Sequence, residues 1–395
     1  MSFVLSKKYS LHPMQRSKVL IATPVLLLGG TEIHVLGLSE MLVAAGYHVS
    51  ICCYYEYDES VIKLFRKITK NIILMKLKRS EGLLILTQRL VKLYREHKPN
   101  IVHVQYLEPG LIPILAARIA GIKTIFSTVH IAGRIAYGKK AKILLRLASK
   151  FCTAFFCVSK GVEEFWFGNS QVLVPEKIDQ ERSHFTIYNA VDAEKIDTIL
   201  KTTDANAVKR SLGVSDKRIL GIVGRLAYQK GHAVLLNAIS EVIRQMHDVV
   251  LLIIGIGPEE ASLREKAHDL GIESYILWMG EITQEKVFQL YSIMDVLVMP
   301  SLYEGFGLAA AEAMAIGIPV VATKVSGLEE IVEDEETGML IPAGDMSALS
   351  KSIVRLLSDS EQTERLGSKG RQKVRAVFSV DIFNRSWLAA YSDLS

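Results

Sequence analysis

Short apolar runs that alternate with segments of helical period restrict this chain more than any other feature. Val249–Ile254 reads VVLLII, a strand with no polar side, which suits a sheet covered on both faces. Similar runs predict strands at Lys18–Thr23, His48–Cys53, Ile101–Gln105, Lys123–Thr128, Thr153–Val158 and Thr186–Tyr188. The rhythm restarts with Arg218–Val223, Val249–Gly255, Tyr275–Met279, Val296–Met299, Pro319–Thr323 and Met339–Ile341. Helical segments such as Glu32–Ala45, Leu83–His97 and Gly110–Ala120 separate the strands. Strands alternating with helices in this way make right-handed βαβ units and a parallel sheet. The alternation lapses across Asn189–Asp216, a stretch rich in Asp, Lys and Thr. The expectation is therefore an α/β chain of two doubly wound domains, with a polar insertion at about Gly168–His184 before the last strand of the first. Ligands of open parallel sheets bind beyond the carboxyl ends of the strands. Two such domains would set those ends facing across a cleft, and the loops that follow each strand are where site residues belong.

The chain is 49% hydrophobic and 23% charged, which excludes a disordered or fibrous protein. Its four cysteines, Cys52, Cys53, Cys152 and Cys157, are too few for a disulfide framework over 395 residues and read as buried free thiols. No run approaches the roughly 18 apolar residues of a membrane span. Lys7, Lys8, Arg16 and Lys18 are not followed by the apolar stretch and cleavage site of a signal peptide, so a cytoplasmic protein is expected. The net charge of +5 hides an asymmetry: residues 1–150 carry 23 Lys+Arg against 8 Asp+Glu, whereas residues 201–395 are net −6. A basic half faces nucleic acid, an anionic membrane or an anionic substrate.

Three constellations sit where strand-end loops are expected. Gly29-Gly30-Thr31-Glu32 follows the first strand and opens a helix; paired glycines admit a ligand close to the backbone, and a helix N-terminus favours an anion. An ordinary tight βα turn would read the same way. Gly224-Arg225-Leu226-Ala227-Tyr228-Gln229-Lys230-Gly231 follows the strand at Arg218–Val223. Two permanent cations in one such turn suit a diphosphate, and the order differs from the Walker loop. Glu304-Gly305-Phe306-Gly307-Leu308-Ala309-Ala310-Ala311-Glu312 follows the strand Val296–Met299. Glu312 has Leu308, Ala309, Ala315 and Ile316 as its helical neighbours, and a carboxylate on an apolar face needs hydrogen bonds. A ribose diol would supply them, as would a structural partner. Glu304 would otherwise serve the dipole of the helix that follows.

Together these constellations resemble the retaining glycosyltransferases of family 4, which have the two-domain GT-B fold, and the resemblance runs along nearly the whole chain. GGTEIHVLGLSEMLVAAGYHVSI resembles the family's first βαβ unit, GRLAYQKG its phosphate-binding turn, and EGFGLAAAE its E-x7-E element. Smaller matches are Thr128-Val129-His130, Val158-Ser159, Asn189-Ala190-Val191-Asp192, Gly255-Ile256-Gly257-Pro258 and Trp278-Met279-Gly280-Glu281. The resemblance implies that Arg225 and Lys230 hold the donor diphosphate, helped by backbone amides near Gly30, Gly307 and Leu308. It places Glu312 on the ribose hydroxyls, Glu304 on the hexose hydroxyls and His130 near the reacting sugar, with Gly29, Asn189, Gly257, Glu281, Gly305 and Phe306 as further substrate-binding positions. The family commonly follows that His with Gly or Asp, whereas Ile131-Ala132-Gly133 follows it here. No cofactor and no metal are implied; no D-x-D occurs in the sequence, and the two cations can neutralise the leaving diphosphate. The domains implied are 1–193 for the acceptor, 194–378 for the nucleotide sugar, and a final helix in 379–395 that crosses back to the first.

The function expected is transfer of a hexosyl unit from a nucleotide diphosphate sugar, UDP ahead of GDP, to a glycan or lipid-linked acceptor of the cell envelope. Alternatives are another GT-B reaction, such as epimerisation or glucan synthesis, or a non-catalytic scaffold that binds sugar nucleotides. The K-x-G-G-L signature of glucan synthases is missing at Gly29-Gly30. In Lys139–Lys150 the residues Lys139, Lys142, Arg146 and Lys150 share one helical face, with Ile143, Leu144 and Leu147 opposite. Such a helix either packs its apolar side on the sheet or lies on an anionic membrane, which adds peripheral contact with the inner face of the cell membrane to the expected partners. Nucleic acid is not expected, because no recognition motif accompanies the charge.

Overall fold

The structure is a computed structural model that describes residues 17–395 except 28, 107, 109 and 133–137, with backbone alone at 138 and 139. Its contacts divide the chain into two units, one running to Asn189 and resuming at Phe383–Ser395, the other comprising Ala190–Ile382.

The first unit holds strands β1 (Lys18–Thr23), β2 (His48–Cys53), β3 (Ile72–Leu74), β4 (Ile101–Gln105), β5 (Thr124–Val129), β6 (Ala154–Cys157) and β7 (His184–Thr186). Between them run α1 (Gly30–Ala44), α2 (Glu59–Arg66), α3 (Gly82–His97), α4 (Ile112–Ile119), α5 (Gly138–Ser149) and α6 (Lys160–Phe167). The sheet order is β3-β2-β1-β4-β5-β6-β7, with every pair parallel. Central strands are covered on both sides, as in β4, where all five residues are buried, His103 and Gln105 included. Short polar side chains start several helices: the Asp58 carboxylate accepts from Ser60 N–H at α2, and the Ser159 hydroxyl accepts from Val162 N–H at α6.

The second unit opens with α7 (Ala193–Lys201) and α8 (Ala205–Ser211). It continues as β8 (Arg218–Val223), α9 (His232–Gln245), β9 (Val249–Ile254), α10 (Glu260–Asp269), β10 (Ile276–Gly280), α11 (Gln284–Tyr291), β11 (Val296–Met299), α12 (Leu308–Ile316), β12 (Val320–Thr323), α13 (Leu328–Ile331) and β13 (Met339–Ile341). Helices α14 (Met346–Ser358) and α15 (Ser360–Val377) follow, and α16 (Val380–Asp393) carries the chain back into the first unit. This sheet is also wholly parallel, in the order β10-β9-β8-β11-β12-β13. The two doubly wound domains expected from the alternation are therefore present. In each sheet the strand order reverses once, beside β1 and β4 in the first and β8 and β11 in the second. These are the switch points where open sheets take ligands.

The division at Asn189 falls before the expected 193, because Val191 N–H donates to Phe378 O and the Asp192 side chain caps α7. The return falls at Phe383, because α16 beyond that point belongs to the first unit's core. Trp387 and Tyr391 are wholly buried. The Trp387 ring lies 4.7 Å from Phe156 and 5.6 Å from His34, and the Tyr391 hydroxyl bonds His103 Nδ1 at 2.7 Å. One further detail departs from expectation, and one decides between the two packings that the sequence allowed for the basic helix. Strand β3 was hidden in a basic stretch, with three half-exposed residues at the sheet edge. In α5 the sheet side is Leu145 and Ala148, both buried, while Ile143, Leu144 and Leu147 are exposed. Among the described residues no helix is long and apolar enough to cross a membrane.

Candidate functional site

At the switch point of the second unit the chain leaves β8 through Gly224, whose φ of 154° lies in the region that glycine favours. Arg225 is exposed, Leu226 turns into the core, and Tyr228–Lys230 forms a single tight turn before Gly231 and α9. A Cβ on Gly231 would stand 2.0 Å from Pro300 O, so the turn seats directly on the exit of β11. There the Lys230 ammonium meets the Glu304 carboxylate at 2.6 Å, Leu302 N–H donates to Gln229 O at 2.8 Å, and the Tyr303 hydroxyl donates to Gln229 Oε1. Two motifs far apart in the sequence are thus one structure. Behind Glu304, Gly307 (φ 104°) starts α12, and its Cβ position would lie 2.6 Å from Leu328 Cδ2. The first amides of α12 have no intrahelical acceptor, and they carry the positive end of the helix dipole. Phe306 is buried with its ring 5.4 Å from Phe378, so it contributes packing and leaves its backbone to the loop.

Glu312 lies half-buried in α12 and has the hydrogen bonds its apolar surroundings require. The Tyr291 hydroxyl donates to Oε2 at 3.3 Å, and the Gln284 side chain donates as well. Gln284 Oε1 in turn accepts from Lys195 Nζ at 2.8 Å, so a cation, an amide and a carboxyl stand in one chain. Burial still dominates and pushes the carboxyl up to about 7. The loop after β9 closes the other side. A Cβ on Gly257 would lie 2.2 Å from Leu226 O, and Leu226 N–H donates to Ile256 O at 2.9 Å, so the two loops touch backbone to backbone. Glu281 is exposed in the loop after β10.

The first unit has its own cluster at strand carboxyl ends. Gly29 caps α1 with extended backbone, and Gly30 is the helix's first residue. The Glu32 carboxylate folds back beneath them, 2.9 Å from where a Gly29 Cβ would stand. It accepts from the backbone at Leu27 and Glu32, yet burial pushes it up to about 7. His34 Nδ1–H donates to Asn189 Oδ1 at 2.8 Å. His130, buried at the end of β5, donates from Nε2 to Gln105 Oε1 at 2.7 Å, and its ring meets His34 edge-on at 4.9 Å. Burial holds His130 well below its usual value, so the ring is neutral. Gly133 of the segment after it lies outside the described residues.

Among the described residues no group of three or more His, Cys, Asp and Glu side chains is arranged to hold a metal. Comparison with known proteins gives the family. Residues 28–195 match the description Glycosyltransferase Family 4, and residues 182–373 match Glycosyl transferases group 1. The chain belongs to the group 1 glycosyltransferases. It is 32% identical over 206 residues to an uncharacterized glycosyltransferase of Methanocaldococcus jannaschii, covering 52% of this chain and 53% of that one. It is 25% identical over 316 residues to the N-acetyl-alpha-D-glucosaminyl L-malate synthase of Bacillus anthracis, 79% of each chain. The match thus spans about half the length of the first relative and more of the second. The fold is that of Anabaena HepE solved with UDP-glucose, with a TM-score of 0.80, 19% identity, and coverage of 95% of this chain and 99% of that one.

In this group 1 glycosyltransferase the structure brings Arg225, Lys230, Gly257, Glu304, Gly305, Gly307, Leu308 and Glu312 to one sheet edge of the second unit. Gly29, Gly30, His130 and Asn189 gather at one edge of the first. Sequence reasoning missed Gln105, Tyr291, Gln284 and Lys195, because partners of a buried polar group are set by tertiary contact. Only the cost of an unpaired carboxylate at Glu312 signalled that such partners exist.

Proposed function

We propose that this chain is a retaining, metal-independent transferase that moves a hexosyl unit from a nucleotide diphosphate sugar, UDP ahead of GDP, to a glycan or lipid-linked acceptor. The observation that carries this reading is the Lys230–Glu304 pair, set beside Arg225 and the open end of α12 at a switch point. HepE was solved with UDP-glucose, which supports uracil as the base of the donor. The basic first unit suits an acceptor held at an anionic membrane face.

The diphosphate would lie against Arg225, Lys230 and the α12 amides. Without donor, Glu304 already neutralises Lys230, so an arriving phosphate must draw that ammonium away. The Glu304 carboxylate is then released to accept from sugar hydroxyls. In the transfer, the bond from anomeric carbon to phosphate oxygen breaks and the electron pair leaves with the diphosphate. A bond from that carbon to the acceptor oxygen forms on the same face, and the acceptor proton passes to the departing phosphate. Arg225, Lys230 and the helix end stabilise the charge that develops on the leaving group. Glu304 and Glu312 belong to one loop–helix unit, so they do not flank the anomeric carbon as a double-displacement pair would. No metal ligand is required in this scheme.

Slow hydrolysis of UDP-glucose in EDTA, followed by proton NMR before mutarotation, tests the stereochemistry. The α anomer is expected first; initial β anomer, or an absolute need for a divalent cation, would overturn the proposal. A pH dependence also follows. Glu312 titrates near 7 in the folded chain, against 4.5 for a solvated glutamate, so it holds its proton more tightly than in the unfolded chain. Ribose hydroxyls are best accepted by the ionised form, and donor affinity should therefore rise as pH climbs through about 7 and level off above it. Titrating UDP between pH 6 and 8 checks this, and Glu312→Gln should bind more weakly with a flatter profile. An unchanged profile in that variant would remove Glu312 from the ribose site.

A further inference from the structure

We infer that α3, α4 and α5 form one lipid-facing surface that seats the first unit on an anionic bilayer. The connections from β1 to β2 to β3 run one way across the sheet, and those from β3 through β7 run the other. Right-handed crossovers then put α1 and α2 on one face and α3, α4 and α5 on the opposite face. Ring contacts of His34 with Phe383 and Trp387 place α16 with α1, so the α3–α5 face is not the one covered by the chain's own last helix.

That face carries most of the first unit's exposed large apolar side chains, with Leu27 and Val174 exposed in loops elsewhere. Leu83, Leu84 and Ile85 open α3, Ile119 ends α4, and Ile143, Leu144 and Leu147 lie on α5; Leu84 is 72%, Ile143 65% and Ile119 57% exposed. The helices of the opposite face, α1 and α2, expose only Val43 and Leu64 among such residues described. Spacings of three and four put Ile143, Leu144 and Leu147 on one stripe of α5, with exposed Lys140 and Lys150 at its two ends. The helix needs none of the three for its seat on the sheet, which Leu145 and Ala148 provide. Between α3 and α4 a groove of about 560 Å³ is walled by Val91, Lys92, Arg95, Glu96 and Ile119, with Lys92 3.8 Å from the Glu96 carboxylate.

Charge decides the occupant. Among the described residues these three helices expose Arg89, Lys92, Arg95, Lys140 and Arg146, with Glu96 the one exposed carboxylate against them. A second copy of the same surface would set cations against cations, whereas an anionic headgroup layer complements them while the acyl boundary takes the apolar side chains. The inference shares with the proposed function only the idea of a membrane-borne acceptor, and its test does not depend on catalysis.

The test uses the full chain, co-sedimented with vesicles of phosphatidylcholine alone or mixed with phosphatidylglycerol. Binding is expected only to the mixed vesicles, and to weaken as salt is raised. Ile143→Ser/Leu144→Ser/Leu147→Ser, and separately Lys140→Glu/Lys150→Glu, should each lower vesicle binding by about tenfold or more. Melting and UDP affinity should stay unchanged in both. Binding indifferent to lipid charge, or to both sets of substitutions, would overturn the inference. So would a concentration-dependent dimer that the serine variant abolishes, which would give the surface to a second copy. Vesicle binding that persists while UDP fails to bind would instead remove the transferase reading and leave this surface standing.

Discussion

Replacing Arg225 and Lys230 together by alanine is expected to abolish sugar transfer while the chain still folds. Arg225 is exposed on the turn after β8, and Lys230 contributes one half of a surface-proximal ion pair. Neither fills the core, whose residues in this unit are mostly Leu, Ile and Val of the strands and covering helices, with Ala238, Ala267 and Met339 among them. The chemical loss is larger. Removing a single group that stabilises leaving-group or oxyanion charge costs about a hundredfold to a thousandfold in rate, and here two cations go at once. A loss of roughly a thousandfold or more in kcat/KM is therefore expected, measured as UDP release. Lys230→Ala also leaves the Glu304 carboxylate without its cation in a half-buried loop, so comparing Lys230→Ala/Glu304→Gln with Glu304→Gln alone separates lost catalysis from local strain. Circular dichroism and melting near those of the native chain, together with lost activity, are the expected outcome. A double alanine variant with native activity would remove the diphosphate clamp.

Trp387→Ala is expected to have the largest effect on stability. Trp387 is wholly buried, and its ring packs among His34, His103, Phe156 and Phe383. Removing a buried aromatic costs about 3–5 kcal/mol through lost transfer energy and the cavity left behind. At ~2–4 °C per kcal/mol for a unit of this size, melting of the first unit should fall by roughly 10 °C. The effect reaches past packing, because Trp387 also contacts His34, which orients Asn189, and His103, which is bonded to Tyr391. A melt within a couple of degrees of native would mean that α16 does not complete this core.

The strand–helix rhythm was legible because parallel strands must be apolar on both faces, as VVLLII and its neighbours are. Both βα turns with glycines were legible for a related reason: at Gly224 and Gly307 the backbone takes a conformation that other residues rarely adopt. What stayed hidden was set by tertiary contact. Strand β3 has three residues at an edge, too few for a period to show. Strand β7 begins at His184, two residues ahead of the expected Thr186, because Phe155 N–H pairs with Ser183 O and draws the polar end of the insertion into the sheet. The apolar residues of α5 could be read either as a side packed on the sheet or as a membrane face, and the sheet takes Leu145 and Ala148 instead; amphipathic pattern gives a face but not what covers it. The clamp shows the same limit. Lys230 and Glu304 were each legible as site residues, one for phosphate and one for sugar, while their 2.6 Å ion pair depends on β8 and β11 being neighbours. His130 was legible as a strand-end histidine, but its bond to Gln105 needed β4 beside β5.

Donor binding tests the central claim most directly. The purified full chain would be titrated by calorimetry against UDP-, GDP- and ADP-sugars with EDTA present. Saturable binding of one nucleotide class, with UDP the expected one, and its loss in the Arg225→Ala/Lys230→Ala variant, is the result predicted. No heat with any of the three, or binding that appears only when a divalent cation is restored, would contradict it.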